Sequence, residues 1–115
     1  MAYDEDLANR IRDVLAGEQA VEGQAVDEKR MFGGLAFLVG GHMAVAASGR
    51  GGLMVRVPPE DTEALLATDH VSPMVMAGRE TRGWLRVADD GVRTTRQLRV
   101  WVRRGVAHVR TLPPK

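Results

Sequence analysis

At 115 residues, 44% of them apolar and 27% charged, the chain has the make-up of one soluble globular domain, long enough to bury a core without a covalent staple. It has no cysteine, which excludes disulfides, thiolate metal sites and a cysteine nucleophile. The net charge of +1 conceals an asymmetry: residues 1–28 carry eight acids and two bases, whereas residues 91–115 carry seven bases and no acid. Such polarity suits a polyanion-binding end, or two ends of one fold, or two subunits, that attract each other. The acidic, polar N-terminus is no signal peptide, and no apolar run approaches the ~20 residues that span a bilayer, so a cytoplasmic protein without membrane contact is expected.

The first helix is predicted over residues 4–16. Leu7, Ile11, Val14 and Leu15 fall on one face, Asp4 is placed to cap, Glu5 and Asp6 suit the first turn, and Gly17 marks the stop. Residues 18–25 read as a polar loop. Lys29–Phe32 begins a sheet, and Gly33-Gly34 predicts a bulge or tight bend. Leu35–Val39 is the next strand, Gly40-Gly41 a two-residue turn, Met43–Ala47 the returning strand and Ser48–Gly52 a longer turn. Leu53–Val57 alternates, with Leu53, Val55 and Val57 on one face and Met54 and Arg56 on the other. These strands form an antiparallel meander expected to bury one face.

Pro58-Pro59 ends that strand and starts a short helix reaching Thr68. In Val71–Ala77, Pro73 points to an edge or irregular strand. Gly83–Val87 is a further strand with Trp84 and Leu85 on opposite faces, and Asp89-Asp90-Gly91 is a turn. Residues 95–110 form the last helix, its apolar stripe made of Leu98, Trp101, Val102, Gly105, Val106 and Val109. The fold class is therefore α+β: a two-layer domain, 1–115, with a mainly antiparallel sheet packed by helices, in the order helix, three or four strands, helix, two strands, helix.

Little here suggests catalysis. The MFGG segment lacks phosphate-loop spacing and leads from strand to strand. Arg50 reads as a solvated turn residue. His42, His70 and His108 lie far apart without metal-ligand spacing, Ser48 has no nucleophile-elbow context, and Asp89-Asp90 reads as a turn. The basic last helix stands out. Arg93 and Arg96 sit at its start, where the dipole prefers anions, and Arg96, Arg99 and Arg103 share a face. They are candidate contacts for nucleic-acid phosphates or for a partner, to be weighed against neutralisation by the acidic first helix or a second subunit, and against a merely solvated face. No aromatic is placed to stack bases, because Trp101 belongs to the apolar stripe.

Lys29-Arg30-Met31-Phe32-Gly33-Gly34, followed by Phe37, resembles the opening motif of the N-terminal domain of the TfoX/Sxy family. Gly52–Val57, Gly78-Arg79 with Gly83-Trp84, and the final helix through Arg110-Thr111-Leu112-Pro113 are similar in register, so the resemblance covers essentially the whole chain. Where many members have a further glycine, this chain has Ala36. The family's full-length members are competence and transcription regulators with an additional helical C-terminal domain. The resemblance thus implies a stand-alone N-terminal-type domain in a bacterial cytoplasm, without catalytic residues, metal or cofactor. The resemblance further implies a protein-interaction role, with a transcription factor as one candidate partner. Met31, Phe32, Gly33 and Gly34 are then a structural motif. An exposed sheet edge and the charge asymmetry add the expectation of a homodimer, with nucleic-acid binding through the last helix as the alternative.

Overall fold

The computed structural model describes residues 4–17, 26–31, 33–76 and 78–113. Helix α1 spans Glu5–Ala16, with the Asp4 carboxylate accepting from the Leu7 N–H at 3.1 Å. Strands β1 (Val26–Met31), β2 (Gly34–Val39), β3 (His42–Ala47) and β4 (Leu53–Arg56) follow. After a 3-10 turn at Pro59–Asp61 come α2 (Thr62–Leu66), β5 (Val71–Met76), β6 (Arg79–Val87) and α3 (Thr95–Val109). The six strands make one antiparallel sheet in the order β1-β2-β3-β4-β6-β5. This is the α+β layout the sequence predicts, with four strands before α2 and two after it.

The helices share one face of the sheet. Leu7, Ile11 and Leu15 from α1 and the α3 stripe pack on Phe37, Val45, Leu53, Val55, Leu85 and Val87, all buried. The predicted alternation in β4 holds, since Leu53, Val55 and Val57 join this core while Met54 faces away.

Several expectations are corrected. β1 begins at Val26, three residues before Lys29, because Asp27 and Glu28 also pair with β2; Phe32 and the loop 18–25 lie outside the described residues. Of the two readings of Gly33-Gly34, a bulge or a tight bend, the tight bend is the one that forms. Met31 pairs with Gly34, so the chain reverses there into a hairpin, with Gly33 at φ 74°. A side chain at Gly34 would run into the Ala47 carbonyl of β3, so the second glycine serves close approach. β6 starts at Arg79, α2 ends at Leu66, and α3 ends at Val109.

The largest correction concerns the sheet's second face, which was expected to be open. Ala36, Met43, Ala46, Met54 and Met74 are all buried there, flanked by Met31, Leu38 and Trp84, and among the described residues no helix side chain joins this cluster. The strands that carry this small second core shift register between Phe37 and Leu38 and between Pro73 and Val75, irregularities of the kind that bend a strand. The alanines leave room, and the flexible methionines fill it.

Candidate functional site

The outer side of α3 is a basic helix surface, and its aim is fixed from within. Thr94 and Gln97 form a reciprocal capping box: the Thr94 hydroxyl accepts from the Gln97 N–H at 3.1 Å, and the Gln97 side chain accepts from the Thr94 N–H at 2.9 Å. The stripe Leu98, Trp101, Val102, Gly105, Val106 and Val109 is buried as predicted. At Gly105 the helix backbone lies directly on β3, since a Cβ there would stand 2.5 Å from the Ala44 carbonyl oxygen. Rotation of α3 is thereby fixed, and Arg96, Arg99 and Arg103 point outward along it.

These arginines differ in what they have left to bind. Arg93 lies before the helix rather than in its first turn, and its guanidinium is held by Asp90. Arg103 has a partner within the chain. Among the described residues Arg96 and Arg99 have no ion-pair partner, and both are exposed. Arg99 borders a groove of about 170 Å³ shared with Arg10, Asp13 and Val14 of α1. Asp13 of α1 lines that groove without an ion pair to Arg99, so among the described residues the acidic first helix does not neutralise Arg96 or Arg99. Instead Arg10 crosses the seam and donates to the carbonyls of Val92 at 2.7 Å and Arg93 at 3.0 Å. The expected anion site at the start of α3 is likewise reduced, because the capping box takes up the Thr94 and Gln97 N–H groups.

Met31, Gly33 and Gly34 build the β1–β2 reversal, as described above, and Phe32 of that motif lies outside the described residues. Other polar groups have structural employment. The buried Ser48 hydroxyl accepts from the Arg50 N–H and from Arg86, each at 3.1 Å, and Asp89 accepts from the Gly52 N–H at 3.0 Å. Beyond the C-terminal end of α3 the His42 Nε2 lies 2.6 Å from the Pro113 carbonyl oxygen, and the His42 Nδ1 is buried without a hydrogen-bond partner among the described residues. His108 lines a half-open cleft of about 360 Å³ with Glu60, Asp61, Leu65 and Arg104. Desolvation, with Arg56 as a second cause, holds its pKa below the ordinary value.

Sequence reasoning missed two features near this surface. The first is the capping box, although its Thr-x-x-Gln spacing is legible. The second is the forked pair from Arg12 to Glu28, at 2.6 and 2.7 Å, which ties α1 to β1 and has no local signal. Among the described residues no group of three or more His, Cys, Asp or Glu could hold a metal, and no helix is long and apolar enough to cross a membrane.

Compared with known proteins, the chain matches the family model of the TfoX N-terminal domain over residues 18–109. No curated protein and no solved structure matches it.

Proposed function

We propose, from the premise that this chain belongs to the TfoX N-terminal domain family, that it is a non-catalytic regulatory module working in the cytoplasm by binding another protein. The observation that carries this reading is the outer face of α3, where Arg96 and Arg99 stand exposed and unpaired on a helix whose inner face is locked to the sheet. Guanidinium groups presented on a rigid element suit carboxylates of an acidic partner surface, with their planar fork favouring bidentate contact. The employment of Ser48, Asp89 and Asp90 in turns and caps speaks for a scaffold rather than an enzyme. A homodimer is part of the proposal, because β1 offers an exposed sheet edge.

The second reading is nucleic-acid binding by the same face, favoured by Arg96, Arg99 and Arg103 lying three and four residues apart. The two unpaired arginines would neutralise only about two phosphates, against the roughly 6–10 contacts of a strongly salt-dependent binder.

The test is affinity capture from source cells with wild type and with the Arg96→Glu/Arg99→Glu double variant. The proposal expects a protein captured by wild type and lost with the variant. Identical capture by both would overturn the assignment of α3. Capture of nucleic acid that falls steeply with salt would establish the second reading.

A further inference from the structure

The two edges of the sheet are built differently. β5 carries Pro73, which has no N–H to offer, and its pairing with β6 shifts register between Pro73 and Val75. Both are devices that blunt an edge against further pairing. β1 has neither. Its six residues pair with β2 without a register shift, and Val26 through Arg30 are all exposed. An edge so regular usually needs charge to keep it single, and β1 is charged. Its charges are ordered, however. The sequence Val26-Asp27-Glu28-Lys29-Arg30-Met31 places an acid before a base on each face: Asp27 and Lys29 on one, Glu28 and Arg30 on the other. Read antiparallel against itself, acid then base meets base then acid.

We infer that β1 is a docking edge for a second copy of this chain, paired antiparallel about a two-fold axis at Glu28. The inference rests on the reading of the chain as a self-associating module and adds to it the surface, the register and the pairs. Opposed side chains in an antiparallel pair share a face, so the axis must pass through a residue that faces its own copy. With the axis at Glu28, Asp27 opposes Lys29 of the second copy, twice. Glu28 lies diagonal to Arg30 of the second copy, also twice. The only like-charged contact is Glu28 with itself, and each of those carboxylates is already held in a fork by its own Arg12. An axis at Lys29 would instead oppose two lysines. The paired edges would run the two sheets into one continuous sheet, a form of strand addition in which main-chain bonds give affinity and charge sets register.

The test uses charge exchange. Wild type should be a dimer by sedimentation that loosens with salt. Asp27→Lys and Lys29→Asp each turn the direct pairs repulsive and should weaken self-association by about tenfold or more. Mixed one to one, the two variants should restore a heterodimer. As the chain has no cysteine, Glu28→Cys adds a single thiol, which should oxidise to a covalent dimer, since directly opposed residues lie within disulfide reach. Cysteine at Val26 should not self-link. A wild type that stays monomeric at high concentration overturns this inference and the homodimer together. A wild-type dimer that both variants leave intact, or that Glu28→Cys does not trap, overturns the β1 edge alone.

Discussion

The inner and outer sides of α3 are constrained in opposite ways. On the inside every position is dictated by what lies beneath it, down to Gly105, where even one carbon has no room above Ala44. On the outside Arg96 and Arg99 have no ion-pair partner among the described residues. The inner side therefore explains the fold, and the outer side needs a reason from beyond it. Substitutions on the two sides should separate stability from binding.

The largest effect is expected at Trp101, which is 6% exposed with the Arg104 guanidinium 5.2 Å from its ring centre. Trp101→Ala should cost about 3–5 kcal/mol in denaturant unfolding. A loss under about 1 kcal/mol would mean that the stripe is not core. Gly105→Ala is the sharper test of the inner side. In an exposed helix interior this change stabilises by about 1 kcal/mol. Here overpacking against Ala44, typically about 1–3 kcal/mol, should reverse the sign and lower the melting temperature. An unchanged or raised melting temperature would show that α3 does not rest on β3.

This inner side was largely legible from sequence. A stripe at helical spacing announces itself, as do the alternation of Leu53, Val55 and Val57 and the paired glycines at 40 and 41. The second core was missed for a physical reason. Leu35–Val39 and Met43–Ala47 are continuous apolar runs, the pattern of strands buried on both faces, yet a meander suggests one open face. Of the candidate site, the outward arginines were legible. Which of them are spent was not. Asp90 takes Arg93 from a turn just outside the helix, and at the seam Arg10 makes the hydrogen bonds while Asp13 beside it makes no ion pair with Arg99, a matter of helix rotation that spacing does not encode.

Smaller effects sharpen the same contrast on the α1–β1 side. The hydrogen bond from Arg12 holds the Glu28 carboxyl below its ordinary value of 4.5, against a smaller opposing effect of desolvation. A depressed carboxyl pKa stabilises the fold above that ordinary value, and the contribution fades as pH falls through the folded pKa. The pair is well exposed, so Glu28→Gln should cost no more than about 0.5 kcal/mol at neutral pH. The gap from wild type should close on acidification. A gap that widens in acid would contradict the assignment.

The smallest stability change is expected from reversing both outer arginines, and that variant tests the central claim most directly. The measurement is a thermal melt of Arg96→Glu/Arg99→Glu alongside affinity capture from source cells. The prediction is a stability within about 0.5 kcal/mol of wild type together with loss of the wild-type protein partner. A variant that keeps that partner, or that loses it only because it unfolds, would contradict the claim that the outer face of α3 is the working surface.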